Sequence, residues 1–438
     1  MKRLPLLIAA VCLLAFANAE TVTRTFYFDF GMDGGTRGVV TTSPDGNGHY
    51  WNNIGDKEVT NNKPSQDCIY SVVDAANAAT DIKVQLADTK FTANGMSGGG
   101  GFLEPDAELL GDLAVASATS DYLFASNSEH CSMIISGLDP QKGYRFKIFA
   151  SRIATDDRIS DYTFRGAWAF QGSLKAAGTG IGANGENQNT SNVYLSPLML
   201  PASDGTIRLT VHRQYAGSGA YFPISCMRME ELTELHVPEA EIFIDCGHSD
   251  GNNGELTAAP DGNGIYWVNI YDNAVTAAPV ALTYRDGSAV NNGANVTITT
   301  AFQRNGYKNG GNTAETYSTL LGVFGQKSVA GDYFFVNNKT AQMKFNGLNP
   351  NKAYVFYIFG SRAYNSSFGQ TVDKLKLEGL TTVTGTHHTG GNGMCYSGAT
   401  NGWNEDAFTV MEPVFPDADG TILLTLSGRS HQRPKALW

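Results

Sequence analysis

Two indoles recur in the same setting. "SPDGNGHYWNNI" (Ser43–Ile54) and "APDGNGIYWVNI" (Ala259–Ile270) share Pro-Asp-Gly-Asn-Gly, then Tyr-Trp, then Asn-Ile, 216 residues apart. Gly, Asn and Asp tolerate left-handed backbone, so each stretch predicts a tight turn delivering Tyr50-Trp51 or Tyr266-Trp267. A flat indole face offers apolar contact to the C–H groups of a pyranose. Trp51, Trp267, Tyr50 and Tyr266 are therefore candidate sugar-binding residues. The structural alternative is that each Trp plugs one end of its domain while Asn52, Asn53 or Asn269 ties the loop to backbone, since large aromatics are mostly core.

A second recurring pair is Ser151-Arg152 and Ser361-Arg362, each closing an apolar strand where the chain enters a loop. Loops on a rigid scaffold collect binding groups. A guanidinium offers several fixed donors to sugar hydroxyls or a uronate carboxylate, so Arg152 and Arg362 join the candidates. The alternative is a structural Arg bonded to loop carbonyls or to Asp29 or Asp245. Those two acids lie inside apolar strands and must themselves be paired or hydrogen-bonded. They could ligate Ca²⁺ with carbonyls of the "DGNG" loops, but no Asp-x-Asp-x-Asp spacing supports it. No cofactor is expected; a structural calcium stays open.

Enzyme chemistry finds little support. The sequence has no H-E-x-x-H. His387-His388 sits in "GTHHTGGNG", read as a glycine-rich loop without a partner at ligand spacing, and the first copy has no His there. "GMSGGGG" (Gly95–Gly101) lacks the Lys-Ser/Thr ending of a phosphate loop and reads as a flexible loop. The features that stand out occur twice, whereas an active site would normally occur once. The expectation is no enzyme.

The chain that carries these residues is one unit written twice. "FYFDFG" matches "IFIDCG", "GLDPQKGYRFKIFASR" matches "GLNPNKAYVFYIFGSR", and "DGTIRLTV" matches "DGTILLTL", in the same order and 210 to 216 residues apart. A period that long means two whole domains. They are expected at residues 20–230 and 242–438, joined by a linker at 231–241 that contains Pro238. Tyr144, Phe146 and Ile148 alternate with Arg145 and Lys147, and the second copy keeps the first set as Tyr354, Phe356 and Ile358 while the others drift. That is a half-buried strand. Ile207, Leu209 and Val211 behave alike. Helix is scarce, with "AELLGDLA" and "TYSTLLGVF" the best short candidates.

Many short strands and Gly/Asn/Asp turns predict an all-β chain of two tandem antiparallel β-sandwich (jelly-roll) domains. The "DFG"/"DCG" strand, the "YWxNI" segment and the "GLxPxxxYxFxIFxSR" strand resemble the galactose-binding-like jelly-roll modules of secreted bacterial polysaccharide-handling proteins. The resemblance covers nearly the whole chain and implies a non-catalytic carbohydrate-binding protein whose partner is a glycan or polysaccharide. The competing expectation is a structural or protein-interaction sandwich without a glycan site. One departure stands out. The first copy continues past Val211 to "AYFPISCMRMEE", but after Leu426 the second has only "SGRSHQRPKALW". A closing strand is missing or replaced there, which would leave an unpaired edge.

Bulk properties narrow the setting. Lys2 and Arg3 precede the apolar run "LPLLIAAVCLLAF" and the small-residue pattern Ala17-Asn18-Ala19, which reads as a signal peptide over residues 1–19 and places the protein in the periplasm, at the cell surface or outside the cell. No other apolar run is long enough to suggest membrane insertion. The formal net charge of −11 opposes nucleic acid and anionic membranes and is neutral toward glycans. Beyond Cys12 the cysteines are Cys68, Cys131, Cys226, Cys246 and Cys395. An odd, irregular set is no disulfide framework and has no metal-ligand spacing.

Overall fold

The computed structural model describes all residues except 1–9, 17–20, 35–36, 56–67, 88–90, 127–129, 214–220, 234–239, 291–292, 310, 312–318, 338, 363–370, 392–401, 405–406 and 429–438. At 10–16, 97–98, 213, 309, 319–320, 371–373, 390–391 and 402–403 it gives the backbone alone. The chain forms two compact units: Glu20–Leu235, and His236–Trp438 together with Met1–Ala19.

Strand β1 (Ala10–Phe16) comes first. The N-terminal unit then supplies β2 (Val22–Phe30), β3 (Trp51–Ile54), β4 (Ile69–Val73), β5 (Ala79–Leu86) and β6 (Thr92–Gly95). Next come β7 (Asp121–Ser126), β8 (Cys131–Ser136), β9 (Gly143–Phe149), β10 (Arg158–Arg165) and β11 (Ala169–Ala177). It ends with β12 (Tyr194–Leu195), β13 (Ile207–Arg213), β14 (Tyr221–Ile224) and β15 (Cys226–Leu232). One sheet runs β12-β9-β15-β2-β3, a second β11-β10-β13-β8-β5-β4, and β6, β7 and β14 form a third. Among the described residues, this unit's strands pair antiparallel except β2 with β3, which are parallel.

The C-terminal unit repeats the plan with β16 (Glu241–Cys246), β17 (Trp267–Ile270), β18 (Val280–Ala281), β19 (Asn295–Thr300) and β20 (Gln303–Asn305). It continues with β21 (Tyr333–Phe335), β22 (Thr340–Asn346), β23 (Ala353–Phe359) and β24 (Thr371–Glu378). The last are β25 (Thr382–Gly391), β26 (Gly402–Trp403), β27 (Ala407–Val410) and β28 (Ile422–Gly428). Its sheets run β17-β16-β1-β23-β27 and β18-β19-β22-β28-β24-β25-β26, and β20 pairs with β21 in a third. The fold is all-β, two antiparallel sandwiches.

Strand periodicity explains the cores. Tyr144, Phe146, Ile148, Ile207, Leu209 and Val211 are fully buried, while Arg145 and Lys147 on the alternate positions are only half-buried. In the C-terminal unit Ile244, Met343, Phe356, Leu375 and Leu424 meet in one core drawn from both sheets. The outer face of each first sheet is covered as well. Helical turns at Ala107–Leu110 and Gly111–Leu113 lie over β2 and β3, where Leu110 and Leu113 pack with Tyr27 and Trp51. The first short helical stretch expected from sequence forms; of the second, residues 316–318 lie outside the described residues, and Thr319–Phe324 is 3-10 with a break at Gly322.

Three expectations need correction. Glu231 and Leu232 belong to β15, not to a linker, because the Glu231 carboxylate is buried against Arg24 and Lys142 at 2.6 and 2.8 Å. Glu241 likewise opens β16. His387 and His388 lie within β25, paired with β24, and both are buried. The "GMSGGGG" segment contains a one-turn helix, Met96–Gly99, wedged against β7: a Cβ on Gly95 would come 2.3 Å from Asp121 Cα, and one on Gly101 1.7 Å from the Ser120 carbonyl. Those glycines permit close backbone approach.

Candidate functional site

Each recurring turn is a clasp turned inward. Asp45 receives the Trp51 indole N–H at 2.8 Å and the backbone N–H groups of Asn47 and His49 at 2.8 and 2.9 Å. Burial alone would push the Asp45 carboxyl up; these donors outweigh it and hold it below its usual range. Asp261 does the same for Trp267, at 3.0 Å, and for Asn263 and Ile265. Trp51 is 4% exposed and Trp267 3%, so neither indole presents a face to a sugar. Trp51 packs on Tyr27, and Trp267 on Phe243 and Phe324. The stacking role expected for the two Trp gives way to the plug. Tyr50 and Tyr266 are half-buried beside them.

Asp29 and Asp245 anchor the loop before each clasp. Asp29 Oδ2 accepts the Thr41 N–H at 2.9 Å, and Asp245 Oδ2 accepts the Thr257 hydroxyl at 2.8 Å. Asn53 and Asn269 bind the same threonines from the neighbouring strand. A second acid, invisible as a motif, faces each: Asp121 accepts the Met32 N–H at 3.2 Å, and Asp332 the His248 N–H at 2.6 Å. Burial, then the neighbouring acid, pushes Asp121 and Asp332 well above the ordinary carboxylate range. Calcium would require about six to eight oxygens and would have to displace these donors. Among the described residues no group of three or more His, Cys, Asp or Glu could hold a metal ion. Cys68, Cys131, Cys226 and Cys246 are buried.

The arginines differ from the indoles. Arg152 is half-buried where β9 ends, beside the fully buried Ser151. Its guanidinium lies 4.5 Å from the Tyr221 ring centroid and 5.9 Å from that of Tyr122. Its Nε is buried without a hydrogen-bond partner among the described residues. Arg158 stands on the same Tyr221 ring at 5.1 Å and pairs with Asp156 at 2.9 Å. Tyr122 donates to the Gly99 carbonyl at 2.7 Å, and burial pushes its hydroxyl up to about 12 against the pull of Arg152. Two cations thus share one tyrosine at the rim. Neither Tyr221 nor Arg158 carries a motif; only their approach in space marks them.

In the C-terminal unit Arg362 is half-buried, with Nη1 buried and unpartnered among the described residues and Tyr333 in the place of Tyr122. No counterpart of Tyr221 stands beside it among the described residues. Among the described residues the two copies differ in this ring.

Gly95–Gly99 also fits the G-x-S-x-G spacing of a hydrolase nucleophile elbow. The elbow requires a strand feeding a helix in an α/β sheet. Here the preceding β6 pairs antiparallel with β7, in an all-β unit.

No family model matches the chain, and no curated protein does. Solved structures similar to it include the ANX2 ectodomain from Arabidopsis thaliana, at 9% identity and a TM-score of 0.28, covering 94% of this chain and 93% of that one. Another is TmCBM61 in complex with β-1,4-galactotriose, at 11% identity and 0.18, covering 34% of this chain and 87% of that one. A third is the plant peptide RALF23 in complex with FER and LLG2, at 10% and 0.25, covering 93% and 90%. At such scores the likeness reaches no further than β-rich, sandwich-like architecture.

Proposed function

We propose that this is an exported, non-catalytic glycan-binding protein whose principal site is the Arg152 rim of the N-terminal unit. The observation that carries this is the half-buried Arg152 guanidinium lying over Tyr221 at the rim. A planar cation held by an aromatic ring keeps its donors aimed for hydroxyls or a carboxylate. Arg158 beside it is paired with Asp156, whereas Arg152 carries a cation without such a pair among the described residues, so a uronate-containing glycan is favoured over a neutral one. Export is supported by the charged and apolar N-terminal pattern ending in Ala17-Asn18-Ala19; no helix among the described residues is long and apolar enough to cross a membrane. The acidic net charge argues against nucleic acid.

A glycan array probed with the protein tests the reading, with Arg152→Ala as control. Binding to acidic glycans that Arg152→Ala removes supports it. An array without any hit overturns it. The burial of Trp51 and Trp267 favours a second reading, a protein-interaction sandwich, and an array without hits would leave that one standing.

A further inference from the structure

The C-terminal sandwich is closed by a strand from the other end of the chain. In the N-terminal unit β15 lies between β2 and β9, antiparallel to both: Cys226 faces Asp29 and Phe149, Met227 faces Phe28 and Ile148, and Met229 faces Phe26 and Phe146. In the C-terminal unit β1 holds the same place between β16 and β23. There Ala10 faces Asp245 and Phe359, Val11 faces Ile244 and Ile358, and Leu13 faces Ile242 and Phe356. Asp245 and Phe359 are the repeats of Asp29 and Phe149. Strand β1 therefore stands in the register of β15, residue for residue, with Val11, Leu13 and Ala15 at the positions of Met227, Met229 and Glu231.

The slot needs such a strand. Neighbouring strands lie about 4.8 Å apart, so β16 and β23 without a strand between them would face each other across roughly twice that distance. Both would expose rows of unpaired N–H and C=O groups. The core at Ile242, Ile244, Phe356 and Ile358, all buried, would open to water. Among the described residues, no strand of the C-terminal unit other than β1 pairs with β16 on the side away from β17.

We propose that the slot between β16 and β23 is a strand-acceptor site whose occupant is the chain's own Ala10–Phe16. The same residues form the apolar run of the N-terminal leader pattern, so the segment that would be removed on export is the segment that closes the C-terminal sandwich. Cleavage after Ala19 would cut the covalent tie and leave a groove suited to one extended peptide with apolar residues at alternate positions. The strand pairing is independent of the proposed function; the consequence of cleavage rests on its export half.

Register gives the test. Cys12 lies opposite Tyr357 and two positions from the partner of Val355. In the full-length chain, Tyr357→Cys under mild oxidation should give a disulfide between residues 12 and 357, mapped by peptide mass, whereas Val355→Cys should not link to Cys12. A Tyr357→Cys chain that forms no 12–357 link overturns the proposal. Hydrogen exchange of full-length Leu13→Pro adds an independent arm, because proline cannot donate within a central strand. Amides of β16 and β23 should exchange at least about ten-fold faster while β2 and β9, in the same molecule, stay unchanged. A synthetic peptide of residues 8–18 added to that variant should restore protection. Protection of β16 and β23 that is indifferent to Leu13→Pro overturns the proposal; if that variant does not fold, the cross-link alone decides.

Discussion

Asp45 holds an indole N–H and two backbone N–H groups at once, so its turn and its tryptophan form one device. Trp51→Ala would empty a buried aromatic site and orphan the carboxylate. We expect a loss of about 3–5 kcal/mol in urea unfolding, with glycan binding by the folded fraction unchanged. A folded, fully stable Trp51→Ala protein that had lost binding would reverse the assignment. The buried acids make a pH prediction. Folded Asp121 and Asp332 hold protons that the unfolded chain releases near the ordinary value of about 4. Stability should be fullest below that value and fall as pH rises above it. Asp121→Asn and Asp332→Asn should flatten this fall in urea midpoints taken between about pH 4 and 9; an unchanged slope would count against a raised carboxyl. The turn chemistry of "DGNG" was legible in the sequence, and so was the need of Asp29 for a partner. The direction in which Trp51 faces was not. It depends on Leu110 and Leu113, some sixty residues on, and no local pattern reports what covers the outer face of a sheet.

At the scale of elements, β15 shows how a strand that looks like linker is drawn into a sheet. Its acidic run suggested exposure, yet Glu231 is buried between Arg24, Lys142, Thr23 and the Tyr144 hydroxyl. Burial opposes its charge, but these partners outweigh it and hold its carboxyl at about 2. The stability this contributes is present above the ordinary glutamate value of about 4.5 and is lost as pH falls toward 2. Glu231→Gln should lower stability at neutral pH and remove most of that acid-side loss in thermal melts of the N-terminal unit. Strand β14 matters differently. It supplies Tyr221, the ring shared by Arg152 and Arg158, and it has no counterpart among the described residues of the C-terminal unit. Tyr221→Ala should therefore weaken binding about as much as Arg152→Ala, on the order of ten-fold, while Arg362→Ala should change it little. Equal losses from Arg152→Ala and Arg362→Ala in isothermal titration would instead put a binding site in both copies. Alternating strands such as Tyr144–Ile148 could be placed from sequence because the repeat showed which face is held. The rim could not, because Tyr221 meets Arg152 only through folding.

Over the whole molecule the duplication is unequal in self-sufficiency. Every described strand of the sandwich in Glu20–Leu235 lies between Val22 and Leu232, so this unit carries its own closing strand, its own core and the Arg152 rim. The C-terminal unit draws one of its central strands from Ala10–Phe16, outside its own contiguous sequence. That β1 lies between β16 and β23 was not legible in the sequence: pairing between residues more than two hundred apart leaves no local trace. The two units expressed separately should then behave differently. Residues 20–235 should unfold in a single cooperative step and keep the glycan affinity of the full chain, because they hold the Arg152 rim and the strand β15 that closes their first sheet. Residues 236–438 should show weak protection of β16 and β23 in hydrogen exchange and a lower melting temperature than in the full chain, rising when residues 1–19 are fused back. A central strand contributes two ladders of backbone hydrogen bonds as well as apolar cover, so its loss opens the sheet from the middle. If the C-terminal fragment melted as it does in the full-length protein, its sandwich would have to be closed by residues of its own, and the dependence on β1 would fall.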